Sequence, residues 1–279
     1  MTIDIADDSG RARPPPGSSG AVVPTHPLSR RVWNWMLWLL VFALLAWSWT
    51  PAEMFRVSAL FTDWRNMAEF GNAFLKPNFH EWDNYLSDML ITIQIALWGT
   101  ALAVVFGIPF SILSSANICP PWIVQPVRRL MDACRAINEI VFALMFVVAV
   151  GLGPFAGVMA LFIHNLGVFA KLFSEAVEAI DPRPIEGIRA TGARRLQEVI
   201  FGVIPQVVPL WSSLTLYRLE TNVRSATTLG IVGAGGIGQT LYESIRSFQY
   251  DQTAAQVIVV VGTVMAIDLL SARLRKALI

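Results

Sequence analysis

Three groups of residues have types and spacings that could do chemistry. The first is Gly233-Ala234-Gly235-Gly236-Ile237-Gly238, a G-x-G-x-x-G pattern after an apolar Ile-Val pair, which is the spacing of a turn that cradles a dinucleotide pyrophosphate. Such a turn needs a strand before it, a helix after it and an acidic residue about 20 positions on, inside a parallel sheet. Glu243 and Asp251 come too early and a long apolar segment begins at 253, so nicotinamide or flavin binding is not expected. Gly233, Gly235, Gly236 and Gly238 instead suit close backbone packing at a gate beside a path. The second group is Arg218, Glu220 and Arg224, which lie in or next to an apolar segment where charges are costly and face a cavity or a partner. A guanidinium offers paired donors to an oxyanion, so these three are candidate substrate-path residues, with snorkelling or pairing to Glu220 as the alternative. The third group is an arginine-rich stretch at 174–203. No G-x-x-x-x-G-K-[ST], Cys/His metal cluster or Ser/His/Asp arrangement is visible, so the chain is expected to bind no cofactor and to catalyse nothing alone.

The elements that must position these groups follow from composition. Of 279 residues 54% are hydrophobic and only 15% charged, whereas soluble domains carry about 25% charged residues. The mean hydropathy of +0.54 agrees with an integral membrane protein. A net charge of +1 does not suggest a nucleic-acid partner, and two cysteines, Cys119 and Cys134, rule out a disulfide scaffold. Residues 1–29, with three consecutive prolines and a Gly-Ser run, read as a disordered cytoplasmic tail that no signal peptidase removes.

Six apolar spans are expected. Val32 to Trp49 is the first, and a polar loop at 50–87 with a short surface helix follows it. Leu90 to Leu113 is the second, with Gly107 and Pro109 as kink sites and Pro120, Pro121 and Pro126 as stops. Basic clusters flank the apolar stretch 140–170 on both sides, which requires an even number of crossings between them. Spans three and four are therefore set at about 133–152 and 154–173, joined by a turn at Gly151-Leu152-Gly153-Pro154, with Arg135 and Glu139 paired across the first turns of span three. His164 in span four reads as a packing hydrogen bonder, and spans five and six fall at about 204–223 and 253–270. Asp268 in span six has no identifiable partner. This topology puts 15 Lys and Arg inside and four outside, so both termini are cytoplasmic. After the glycine stretch, Leu241, Ile245 and Phe248 mark one face of a short interfacial helix.

In the inner loop between spans four and five, Asp181-Pro182 caps a helix over about 182–190. Gly192 breaks it, and a second segment with Leu196, Val199 and Ile200 on one face runs to Pro205. Two short arginine-bearing helices joined at a glycine make a surface on which a soluble protein can dock.

These residues resemble the permease subunits of ATP-binding-cassette importers, whose loop has the form E-A-A, three residues, G, nine residues, I-x-L-P. Glu186, Gly192 and Pro205 match at that spacing, while Gly187 and Ile188 replace the alanines and Gly202 the isoleucine. Arg135-Ala136-Ile137-Asn138-Glu139, Gly151 to Gly157, Glu186 to Ala193 and Ser225 to Gly238 are similar to the permeases of phosphonate uptake systems, over most of residues 85–279. The resemblance implies an all-α polytopic transmembrane domain of the type I importer class over 30–279, with a coupling loop at about 174–205 in the cell membrane. It further implies a homodimer among membrane lipids, two cytoplasmic ATPase subunits that carry the ATP and Mg, and an external substrate-binding protein. Glu186, Gly187, Ala190, Gly192, Arg194 and Pro205 would couple to the ATPase, and the substrate would be a phosphonate, phosphate or phosphite. Another small solute such as methionine is the alternative cargo. An ion-gradient transporter would need a midplane ion site and internal repeats, neither of which is visible.

Overall fold

The computed structural model describes residues 28–62 and 64–278, and every regular element in them is helical. The chain divides into two compact units, Met1–Arg65 and Asn66–Ile279. In the first, α1 (Leu28–Ser48) includes the apolar run Val32–Ser48, and a 3₁₀ turn (Met54–Ser58) and α2 (Ala59–Thr62) follow. The expected tail lies outside the described residues except for Leu28 and Ser29, which open α1. With α2, α3 (Trp64–Phe74) supplies the short helical structure expected in the 50–87 loop.

The second unit is a helical bundle. Its elements are α4 (Trp82–Ser114), α5 (Pro121–Ala136), α6 (Glu139–Val150), α7 (Pro154–Glu178), α8 (Arg183–Ala190), α9 (Arg195–Glu198), a π-helical turn (Val199–Val203), α10 (Ile204–Gly230), α11 (Ile237–Arg246) and α12 (Tyr250–Leu278). Helix α4, helix α7, the run Arg195–Gly230 and Tyr250–Lys276 are each long and apolar enough to cross a bilayer. The pair α5 and α6, bent by 86°, is long and apolar enough only when taken together, the pattern of a broken span or a re-entrant loop, and α1 supplies the shorter apolar helix.

Span three is where the structure corrects the sequence reading. Instead of one helix over 133–152, the chain breaks at Ile137-Asn138. Helix α4 ends at Ser114, ahead of the prolines, and Pro121 opens the separate helix α5 in its first turn, where a missing N–H costs nothing, while Pro126 lies within α5. A break inside a bundle orphans backbone groups, and local side chains take them up. Asn138 Oδ1 accepts from the Ile140 N–H at 2.9 Å, and His164 Nδ1 donates to the Ile137 carbonyl at 2.9 Å. The bend also removes the expected Arg135–Glu139 pair. Arg135 binds Asp132 at 2.8 Å instead, and Glu139 turns toward α7 and α10.

Helix α7 lies at the centre of this unit, and small residues let its neighbours approach it. A Cβ on Gly99 of α4 would lie 2.7 Å from Leu161 Cβ. One on Gly167 of α7 would meet the Met131 carbonyl oxygen of α5 at 2.5 Å and the Arg135 nitrogen at 2.7 Å. Between apolar helices in lipid, close contact of this kind replaces the hydrophobic drive of a soluble core. Phe169, Phe173 and Trp211 fill the inner half, with Phe173 and Trp211 stacked at 4.8 Å between ring centres. Tyr85, Met89, Ile95, Leu161, Leu229 and Ile237 fill the outer half.

Gly167→Ala sets a methyl group against backbone that cannot swing away, and it should destabilise the purified permease by about 1–3 kcal/mol. The measurement is thermal unfolding in detergent; an unchanged midpoint would mean that α5 and α7 do not touch there.

Candidate functional site

One end of the bundle presents an elbow built from α8 and α9. Asp181 Oδ1 accepts from the Arg183 N–H at 3.0 Å, the cap expected before Pro182. Gly192, at φ +83°, takes the left-handed conformation that turns the chain between the two helices. Arg189 closes the elbow with two bonds to Glu198, Nε to Oε1 at 3.0 Å and Nη2 to Oε2 at 2.9 Å. That carboxylate holds the Arg189 guanidinium above its ordinary pKa. The Arg194 N–H donates to Gln197 Oε1 at 2.8 Å.

Helix α8 rests on the π-helical turn through Ile185 and Ile188. A Cβ on Gly202 would lie 3.1 Å from Ile185 Cγ1 and 3.2 Å from Ile188 Cδ1. The small residue at this departure from the importer pattern therefore seats α8 directly on the start of the α10 run. Glu186, Gly187, Ala190, Gly192, Arg194 and Pro205 are all exposed, and nothing lies within 4 Å of a Cβ built on Gly187 or Gly192. Glu186 also lines a groove of about 440 Å³ between the elbow and the 115–120 loop. Arg128 and Glu178, which the sequence reading passed over, hold that loop. Arg128 pairs with Glu178 and donates to the Ser114 carbonyl at 2.8 Å, while Glu178 Oε1 accepts from the Ala116 N–H at 2.7 Å.

A second constellation lies near the middle of α4, α7 and α10. Arg218 donates Nε and Nη2 to Asn165 Oδ1 at 3.2 and 2.8 Å. Beside them, Glu139 accepts from the Ser225 hydroxyl at 2.9 Å and lies 3.5 Å from His164 Nε2. Asn222 Nδ2 donates to the Thr100 hydroxyl at 2.7 Å, which ties α10 to α4 at the same level. Of the three charges singled out in the sequence, Arg218 alone enters this cluster. Glu220 faces Arg275 of α12 at 3.5 Å and Arg224 is exposed, so Glu220 neutralises neither arginine. Sequence reasoning missed the roles of Asn165 and Ser225; an amide inside an apolar run was the available signal for Asn165, which the structure buries fully. Asp268 Oδ1 is buried without a hydrogen-bond partner among the described residues.

At the opposite end, the glycine stretch is wedged between helices. Gly153 N–H donates to the Gly233 carbonyl at 3.0 Å, and Ile237 N–H donates to the Thr92 hydroxyl at 2.9 Å. A Cβ on Gly235 would lie 3.0 Å from the Pro154 ring, and one on Gly236 would collide with Thr92 Oγ1. One on Gly238 would collide with the Thr227 carbonyl oxygen. The stretch runs from α10 into α11 without a preceding strand, so the dinucleotide geometry is absent from it. Ile245 and Phe248 are exposed, and the buried face of α11 is Ile237, Gly238 and Ser244.

Residues 107–279 match the family described as binding-protein-dependent transport system inner membrane components, and the chain belongs to that family. It is 36% identical over 212 residues to the phosphite transport system permease protein PtxC of Stutzerimonas stutzeri, covering 76% of this chain and 77% of that protein. It is 62% identical over 118 residues to a protein named as the cryptic phosphonate transport system permease PhnE2 of Escherichia coli K12, covering 42% of this chain and 97% of the other. Among solved structures, inward-facing MetNI methionine ABC transporter superposes with a TM-score of 0.61 at 21% identity, over 70% of this chain and 95% of that one. That likeness shows the fold, an all-α multi-pass membrane domain built like the matched chain of that transporter. The chain is a transport component and not an enzyme.

Asn165→Leu leaves the Arg218 guanidinium without its acceptor and should lower stability by about 1–3 kcal/mol. Asn165→Asp keeps an acceptor and should retain the wild-type melting midpoint in the same detergent assay.

Proposed function

We propose that this chain forms the translocation path of an ATP-driven importer for a phosphorus oxyanion, namely phosphonate, phosphite or phosphate. It works as a pair of copies, both termini in the cytoplasm, in a cell membrane. Two α8–α9 elbows engage two cytoplasmic ATPase subunits, which bind ATP and Mg, while an external binding protein delivers the substrate.

The observation that carries this reading is the two-faced elbow. Ile185 and Ile188 on one side are packed on Gly202, while Glu186, Gly187 and Ala190 on the other face outward. Arg189 and Glu198 lock the two helices into one body. A push on the exposed face therefore moves α9, the π-helical turn and α10 together, because they form one continuous helical run. Helix α10 carries Arg218 at mid-length and enters the glycine stretch at its far end, so one displacement reaches both the charged cluster and the proposed outer gate at Gly233, Gly235, Gly236 and Gly238. ATP binding and hydrolysis shift the balance between two packings, and the spans supply only the difference in packing between them.

The substrate class rests on Arg218 together with relatives named for phosphite and phosphonate transport. Arg218 spends two donors on a neutral amide, and the nearby Glu139 carboxylate, itself bonded to Ser225, offsets part of its charge; the remainder is available to attract an anion. Arg224, exposed on the same helix, adds a second positive charge.

A bulky residue at Gly192 forces an unfavourable backbone, so Gly192→Val should abolish uptake while the permease reaches the membrane at wild-type levels. Normal uptake by that variant would refute the coupling role. Arg218→Ala should reduce phosphite or methylphosphonate uptake about tenfold, as expected for loss of one charge-assisted contact. Radiolabelled or mass-spectrometric uptake across substrate concentrations measures it, and unchanged uptake would end the anion-path assignment.

A further inference from the structure

The outer end of the bundle holds a cavity that neither the elbow nor the Arg218 cluster uses. Its volume is about 420 Å³, and it lies between the start of α4, α11 and the start of α12. Three carboxylates line it, Glu81, Asp88 and Glu243, and no lysine or arginine does. Two of its wall residues are almost fully enclosed, Tyr85 at 2% and Gln256 at 1% exposure. Gln256 Nε2 is held by the Ser244 hydroxyl at 3.0 Å, but Gln256 Oε1 and Tyr85 Oη have no hydrogen-bond partner among the described residues. Buried polar atoms are normally paired, because an unpaired one has lost its water without a replacement. Two such atoms in the wall of one polar cavity point to a ligand that pairs them.

The charge of the wall selects that ligand. Three carboxylates repel an anion, so this is not a site for the oxyanion cargo. Among the described residues no three His, Cys, Asp or Glu side chains are grouped to hold a metal ion, so the carboxylates are spread around the cavity rather than converging on a point. A spread of acceptors suits a cation that carries several N–H donors in different directions. We propose that this cavity binds an organic cation, an ammonium or guanidinium group, with Glu81, Asp88 and Glu243 balancing its charge and Tyr85 Oη and Gln256 Oε1 accepting its hydrogen bonds. The group can belong to a free solute or to a basic side chain of the external binding protein. The second source rests on the importer reading given above.

The transporter assembled with its ATPase in nanodiscs separates these sources in two arms. In the first, ethylammonium and methylguanidinium chlorides are titrated by calorimetry against sodium chloride at matched ionic strength. In the second, capture of the external binding protein is followed by surface plasmon resonance across a range of salt. Glu81→Gln combined with Glu243→Gln should weaken binding about tenfold in at least one arm. Gln256→Glu adds a carboxylate and should strengthen binding in that arm, which guards against reading misfolding as loss of binding. Weakening in the first arm assigns the site to a free cation; weakening in the second alone assigns it to a side chain of the binding protein. If neither arm responds to either variant, the cation site does not exist. If the wild-type complex captures no binding protein, the importer reading fails, while the first arm still decides the cavity.

Discussion

In a hydrocarbon environment every backbone N–H and carbonyl must find its partner within the protein, and here a helix is broken in the middle of the bundle. That break at Ile137-Asn138 is tolerable only because Asn138 caps the new helix and His164 reaches across from α7 to the stranded carbonyl. The rest of the charged cluster depends on it. The 86° bend turns Glu139 inward to Ser225 and His164 instead of leaving it four residues from Arg135 along one straight helix. A continuous span three would have produced an ordinary surface ion pair and no polar centre.

The polar centre is held by neutral groups as much as by charges. Arg218 binds an amide oxygen, Glu139 a hydroxyl, and Asn222 another hydroxyl on α4. The neutral amide of Asn165 satisfies two donors of Arg218, while the nearby Glu139 carboxylate offsets part of its charge. Glu220 and Arg275 are matched to each other on the α10–α12 side, so α12 is anchored without drawing on that charge. Packing and polarity thus divide the labour along α7: glycine contacts bring α4 and α5 close, while Asn165 and His164 supply polar links to Arg218 of α10 and to the Ile137 carbonyl at the break.

The two ends of the bundle are built on opposite principles. At the inner end a small residue, Gly202, receives two isoleucines, and an exposed ion pair fixes the angle of the elbow, leaving its other face open. At the opposite end the glycines are themselves inserted between α4, α7 and α10, with the Gly233 carbonyl paired to the Gly153 N–H and the Ile237 N–H to the Thr92 hydroxyl. An open, rigid face suits an external force, whereas a tightly wedged loop resists motion until its supporting helices separate. Helix α10 joins the two directly.

Amino-acid composition and the distribution of arginines were enough to establish an all-helical membrane protein, because the cost of charge in lipid and the positive-inside bias act on residue types regardless of fold. The elbow was legible for the same reason: Asp181, Pro182 and Gly192 act through local backbone preferences that neighbours in sequence dictate. The Arg218 cluster was half legible, as a costly charge whose candidate partner in sequence, Glu220, faces Arg275 instead. Its partners Asn165, Glu139 and Ser225 lie on three separate segments, and only the packing of α6, α7 and α10 brings them together. The broken span could not be read at all from apolar periodicity, since both halves are sound helices. What decided it was the long-range hydrogen bond from His164, an interaction 27 residues away that local propensity cannot express.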